Sequence, residues 1–344
     1  MDSAALSLKH SSEHDPAHAL HISFGESLPL SSLTDFERDM RFYQKRKKEK
    51  CRFVEPPQLD APIADTHAHL DMLKDPALAL ARSAYYGIRF ICTIMDVQED
   101  DRTTFEMLPT WLERAAGIYD RYELGNFEEA RPRIRVAIGC HPHNAKFYDA
   151  ALETRLETAL RDPLVAAIGE VGLDYHYDHS PRPAQREAFR RQIRLAHRTG
   201  LPLILHLREA HDDGLAIMNE EGFPEAGVLL HCFNLDKDIL APWVEKGCFI
   251  AFGGPLTFKN TSEVRESARE VPPTRLLTET DSPFMTPEPL RGSQCGPEYT
   301  IFTAAKLLEV LDRTTPEEQA ALLDQLFSNA TSLLDREATP WQRG

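Results

Sequence analysis

The stretch IADTHAHLD at residues 63–71 places two imidazoles, His67 and His69, one residue apart. In an extended strand, residues two apart point to the same side. His67 and His69 can therefore face one ion while Ala68 points away. Residues of matching chemistry recur far along the chain: His141-Pro-His143, Glu170 with Asp174 soon after, His206 followed by Arg208, His231, and Glu279-Thr-Asp281. Neutral imidazoles and carboxylates are donors for divalent cations, and a mixed set accepts several of them. Glu170 has two oxygens and could bridge two ions. Asp281 could bind a metal and still accept a proton from water. Two ions about 3.5–4 Å apart activate water and stabilise a phosphoryl transition state. Taken alone, a strand-end histidine is more often structural, and a strand-end carboxylate can cap the next helix. Four histidines and two carboxylates at equivalent positions would instead be costly polar groups facing one pocket, and buried polar groups need partners. A metal pair satisfies all six together.

The elements that must position these residues are visible from 62 onward. Eight short, apolar, β-branched runs read as strands, at 62–67, 88–94, 134–141, 165–170, 202–207, 227–232, 248–254 and 275–281. Amphipathic stretches between them read as helices, among them 74–86, 149–161, 183–199, 209–221, 236–246 and 261–270. The stretch 298–335 is also helical, with TPEEQ as a start signal. Near-continuous apolar strands alternating with helices imply a parallel sheet buried on both faces. Eight such units predict an α/β fold, a (β/α)8 TIM barrel, with the chemistry at the C-terminal ends of the strands. No GxGxxG follows a strand and opens a helix, so a dinucleotide site loses its main support.

Composition sets the outer bounds. The chain has 344 residues, 42% hydrophobic and 27% charged, an ordinary globular make-up with ample material for a core. No apolar run reaches the roughly 20 residues of a membrane span, and no positive n-region precedes an apolar h-region. The six cysteines are scattered without a CxxC pair and read as reduced thiols of a cytosolic core. A cytoplasmic monomer with no membrane contact is expected. The net charge of −15 argues against wide duplex binding, which uses a basic face. Local cations would have to attract phosphates. Residues 1–60 read as a partly ordered Ser/His-rich extension, separate from a barrel domain at 61–340. In it, His10, His14, His18 and His21 could hold a metal, but their loose spacing in a polar segment favours solvated side chains. Residues 35–53 are expected to form a helix carrying a basic run.

Across roughly 62–335 the sequence resembles the TatD family of metal-dependent deoxyribonucleases, within the amidohydrolase-like barrels. The matching segments are DTHAHLD (65–71), GCHPH (139–143), IGEVGLDY (168–175), LHLREA (205–210), HCF (231–233), GGPLTFKN (253–260) and LLTETDSPF (276–284). The resemblance implies metal ligands at His67, His69, Glu170, His206, His231 and Asp281. It implies two divalent ions, drawn from Mg, Mn or Zn, with Glu170 bridging them and Asp281 as general base. It further implies His141 near the substrate phosphate. Arg208 is a bidentate phosphate donor or a structural ion pair, and Lys259 is a weaker phosphate contact. Related barrels often bridge their metals through a carbamylated lysine on the fourth strand. Glu170 in that place favours phosphodiester cleavage. The expected substrate is DNA or another phosphodiester, entered as a single-stranded end and cut as by a 3′–5′ exonuclease. Alternatives are the ester of D-aminoacyl-tRNA, cut by the same site, and a catalytically silent barrel acting as a scaffold. The chain departs from the family at HCFNL (231–235) and RGSQCGP (291–297), which shape the pocket walls rather than the ligands.

Overall fold

The computed structural model describes residues 27–99 and 102–344; the four early histidines lie outside them. Three short strands, β1 (Leu28–Pro29), β2 (Tyr43–Arg46) and β3 (Lys50–Phe53), form an antiparallel sheet in the order β1-β3-β2. The helix expected over 35–53 is corrected by this. Only α1 (Asp35–Met40) is helical, opened by a capping box between Thr34 and Glu37, and the basic run turns back as a hairpin. Its strands alternate in the manner of a sheet rather than a helix. Cys51 and Phe53 are buried, and Tyr43 stacks edge-on against Phe53. The hairpin pairs Tyr43 with Phe53 and Arg46 with Lys50. Its tip puts Lys48 and Glu49 at φ 59° and 52°, a left-handed conformation usually marked by Gly or Asn. No such residue announces the turn.

This small sheet is seated on the main domain. Phe42 is 1% exposed. Its ring meets Tyr86, Tyr299 and Phe302 at centroid distances of 4.5, 5.0 and 5.0 Å. Arg82 lies over the same ring and pairs with buried Glu298 at 2.8 Å.

Eight parallel strands follow: β4 (Ile63–Ala68), β5 (Ile88–Asp96), β6 (Arg133–Gly139), β7 (Val165–Asp174), β8 (Leu203–Arg208), β9 (Val228–Leu230), β10 (Phe249–Phe252) and β11 (Leu276–Thr278). They pair in chain order from β4 to β11. The barrel closes because the last strand returns to the first. Asp281 N–H donates to His67 O and His69 N–H donates to Ser282 O, both at 2.8 Å. Hydroxyls reinforce the seam: Thr66 Oγ1 donates to Thr278 O and Thr278 Oγ1 donates to Ala64 O. Around the barrel lie α2 (Pro76–Tyr85), α3 (Thr103–Arg121), α4 (Phe127–Ala130), α5 (Ala150–Ala159), α6 (Arg182–Thr199), α7 (His211–Glu221), α8 (Lys237–Glu245), α9 (Ser262–Glu270), α10 (Thr300–Val310), α11 (Pro316–Leu334) and α12 (Pro340–Arg343). Helix α3 has no counterpart among the segments read as helical, and 298–335 divides into α10 and α11. The start signal at TPEEQ is a capping box, with Thr315 as cap and Pro316 in the first turn.

Inside the barrel, Ala64, Ala137, Ala167, Ile204, Leu229, Ala251 and Leu277 pack in one cluster with Ala330, Leu333 and Leu334 of α11. The end of α11 thus plugs the floor. Strand alternation then dictates what lies above this apolar layer. Two residues beyond Ile204, Leu229 and Leu277 come His206, His231 and Glu279, and two more bring Arg208 and Asp281. On β7 the register shifts between Ile168 and Val171. The shift lets Glu170 face inward where strict alternation from Ala167 would present residue 169. Gly172, at φ +141°, allows β8 to approach: a Cβ there would sit 2.1 Å from His206 O.

Candidate metal centre

Glu170 stands at the centre of the barrel mouth, 6% exposed, with its two oxygens facing different neighbours. Oε2 lies 3.4 Å from His67 Nε2 and 4.0 Å from His69 Nε2. Oε1 lies 2.7 Å from His206 Nδ1, 3.1 Å from His231 Nε2 and 3.8 Å from His141 Nε2. Asp281 Oδ1 joins the first set, 3.5 Å from His69 Nε2 and 3.9 Å from His67 Nε2. Three groups of donors have atoms that all lie within 4.8 Å of one another: His67–His231–Asp281, His67–His69–Glu170 and His141–Glu170–His206.

The 2.7 Å contact of His206 Nδ1 with Glu170 Oε1 is a hydrogen bond; the longer separations suit a cation better. Ligand atoms about 2.0–2.2 Å from one ion lie roughly 3–4 Å apart. His67 is fully buried, and neither of its ring nitrogens has a hydrogen-bond partner. A buried imidazole left this way is costly, and a divalent ion at Nε2 answers the cost. The donor set fits the group that the family implies.

Behind the inner residues stands a second row of carboxylates. Asp174 Oδ2 accepts from His143 Nε2 at 2.8 Å and His206 Nε2 at 3.2 Å, while its Oδ1 accepts the N–H groups of His176 and Tyr177. With its Nε2–H given to Asp174, His206 presents Nδ1 to Glu170, so that nitrogen carries a proton or a cation. Glu279 stands beside His231, with Oε1 3.2 Å from Nδ1, and accepts the Cys232 N–H at 2.7 Å. Such outer partners fix ring orientation and tautomer. Asp65, fully buried, accepts His67 N–H and the N–H and Oγ1–H of Thr280, tying the first strand to the last.

The electrostatics follow from this packing. Burial works against the charge on Glu170, but the His231, His67 and His206 imidazoles outweigh it and hold its carboxyl well below the usual range. Burial likewise opposes ionisation of Asp281, and the hydrogen bond from His69 and the field of His231 reverse the sign. His231 is raised well above its ordinary value: burial opposes the charge and Glu279 and Glu170 overcome it. His141 moves the other way, held well below by burial and then by His206. Its Nδ1 accepts the His143 N–H at 3.2 Å. The neutral ring therefore carries its proton on Nε2, the edge facing the pocket.

Of the residues expected to act together, His67, His69, His141, Glu170, His206, His231 and Asp281 converge. Arg208 lies at the rim with its guanidinium 4.7 Å from the Tyr177 ring centroid. Among the described residues no carboxylate pairs with it, so the ion-pair alternative lacks a partner. Lys259 is exposed on the loop after β10. The sequence alone assigns no role to the outer carboxylates Asp174 and Glu279 or to Tyr177. Position on a strand end is their signal; their partners come from other strands. Tyr177 and Phe284, each 51% exposed, flank the mouth, Tyr177 against His143 and Phe284 against His69.

A parallel barrel that gathers imidazoles and carboxylates at its C-terminal mouth has the architecture of a metal-dependent hydrolase. Over residues 64–334 the chain matches the family described as TatD related DNase, and it is a member of the TatD family. A metal-dependent hydrolase named TatD from Mycobacterium tuberculosis is 34% identical over 270 residues, covering 76% of this chain and 94% of the relative. The human protein named 3'-5' RNA nuclease TATDN2 is 32% identical over 277 residues, covering 77% of this chain and 35% of that protein. The crystal structure of YJJV, a TatD homolog from Escherichia coli, superposes with a TM-score of 0.68 at 25% identity, covering 80% of this chain and 98% of that one. Among the described residues no helix is long and apolar enough to cross a membrane.

Proposed function

We propose that this chain is a divalent-metal-dependent exonuclease that shortens single-stranded DNA from its 3′ end. The observation that carries the reading is Glu170, buried between two separate sets of donors with one oxygen turned to each. His67, His69 and Asp281 would hold one ion with Oε2, and His206 and His231 a second with Oε1. Mg, Mn and Zn all suit such ligands. When bound, the ions lower the pKa of water and neutralise charge on phosphoryl oxygens. Asp281, kept ionised, accepts the proton that the attacking water loses. His141 directs its Nε2–H toward a phosphate oxygen. Arg208 supplies a planar pair of donors to the same or the next phosphate, braced by Tyr177. Tyr177 and Phe284 offer ring faces to unstacked bases, the usual means of holding a single strand. Local cations on a chain with net charge −15 favour an end or a single strand over a duplex face.

The family description speaks for DNA, and the human relative is named for RNA. The test is digestion of 5′-labelled single strands of DNA and RNA of one sequence in Mg2+, Mn2+ or Zn2+, with a D-aminoacyl-tRNA in parallel. The expected result is a ladder of DNA products shortened from the 3′ end and abolished by EDTA. Cleavage of RNA alone, or deacylation without a ladder, overturns the assignment to DNA.

A further inference from the structure

The basic run at 45–52 is not part of the mechanism above, and the structure gives it a place. Lys45, Arg46, Lys47, Lys48 and Lys50 are exposed on the β2–β3 hairpin with a single acid, Glu49, among them, and Arg52 follows. Among the described residues no carboxylate pairs with Lys45, Lys47, Lys48 or Lys50. The hairpin is held firmly from below by Phe42 and by buried Cys51 and Phe53. It is also tied to the mouth: Gln44 Nε2 donates to Pro289 O, on the loop that leaves Asp281 and carries Phe284. Two residues beyond Pro289, exposed Arg291 lies 3.9 Å from the Phe258 ring centroid, and exposed Lys259 follows Phe258 on the next loop. Beside the cations of the hairpin, Arg291 and Lys259 thus lie on the loops that follow β11 and β10. The family match begins at residue 64, so the hairpin is an addition to the common barrel.

We infer that this hairpin is a docking surface for the sugar-phosphate backbone of the single strand whose end lies at the mouth. The inference rests on the nuclease reading above. A polyanion is the partner that a dense cation strip on an acidic body selects, because screening beyond about 8–10 Å leaves only local charge in play. Lys45–Lys50 present no apolar side chain, so nothing at the tip would insert into a lipid surface. A single strand is flexible enough to follow both hairpin and mouth, and each phosphate neutralised releases counterions.

The test replaces Lys45, Lys47, Lys48 and Lys50 by Gln in one variant of the full chain. A second variant, Lys47→Glu with Lys48→Glu, alters only the tip, should the strand positions not tolerate change. Binding of a long phosphorothioate single strand, which resists cleavage, is followed by fluorescence anisotropy over a salt series. Hydrolysis of a dinucleotide and of a long natural strand is measured alongside. The expected result is affinity for the long strand weakened about tenfold or more at low salt. The log–log salt slope should become shallower by about 0.7 for each phosphate that the hairpin no longer neutralises, with dinucleotide hydrolysis unchanged. Equal affinity and slope in variant and wild type overturn the inference. So does an equal loss on dinucleotide and long strand. Strand binding that depends on the hairpin in a wild type that cuts nothing would remove the nuclease reading and keep the docking surface.

Discussion

Glu170→Gln keeps the side chain's volume and removes its charge, which makes it the sharpest single substitution in the cluster. The change leaves His67, His206 and His231 without their shared carboxylate. Divalent-dependent hydrolysis should fall by at least about 10³-fold, as expected when a group needed for charge stabilisation is lost, and bound metal measured by elemental analysis should fall with it. Far-ultraviolet circular dichroism should stay that of the barrel. Full activity in this variant would contradict the assignment of Glu170. His206, His231 and Asp281 are legible in the sequence because each lies where alternation places it, two or four residues above an apolar interior position; Glu170, His67 and His69 reach the mouth past register shifts on their strands and are legible by residue type at a strand end. Asp174 and Glu279 are visible as strand-end acids but not as partners. What assigns them is contact with His143 and His206, and with His231, across strands that one sequence does not juxtapose. Lys259 is exposed on the loop after β10, and its residue type suits a phosphate.

Element boundaries decide a pH effect at His211, the first residue of α7. The ring packs against Phe233 and Trp243, and its Nδ1 is buried without a partner. Burial first, and the charge of nearby His206, bring its pKa down to about 4 from 6.5; a helix N-terminus also disfavours positive charge. Between these values the unfolded chain binds the extra proton and the folded chain does not. Stability is therefore unaffected above 6.5 and falls as the pH drops from 6.5 toward 4. The loss reaches at most roughly 3 kcal/mol, less where solvent screens the ring. His211→Gln should flatten that part of the acid limb in urea unfolding followed against pH; an unchanged slope would refute the burial argument. The eight barrel strands are readable because burial on both faces makes them continuous apolar runs. Helix α3 is not, since Pro109 interrupts it and no side chain caps its start at Arg102. The hairpin at β2–β3 reads as a helix because its turn uses Lys48 and Glu49 where Gly or Asn would signal reversal.

On the scale of the whole molecule, the donors that close the mouth come from β4, β7 and β8 and from the residues just beyond β4, β9 and β11. An ion held by them links strands far apart in the sequence, and binding to the folded state alone is stabilising. At a metal concentration 1,000 times the dissociation constant the gain is about 4 kcal/mol, or roughly 6 °C at an unfolding entropy of about 2.1 cal/mol/K for each of 344 residues. EDTA should lower the melting temperature by that order in the wild type and leave Glu170→Gln nearly unmoved; equal shifts in both would place the stabilising ion elsewhere. The barrel and its mouth are readable as a whole because period and residue type repeat eight times. The seating of the small sheet through Phe42, Arg82 and Glu298 is not, because its partners lie on elements from both ends of the chain. Whether Glu170 divides a two-ion centre serving the 3′ end of a single strand can be seen at first hand in a crystal of the protein soaked with Mn2+ and a short single-stranded DNA. The predicted result is two anomalous peaks, one beside His67 and His69 and one beside His206 and His231. The terminal phosphodiester should lie within reach of His141 and Arg208. A lone ion away from Glu170, or DNA bound outside the mouth, would contradict the two-ion centre and its place at the strand end.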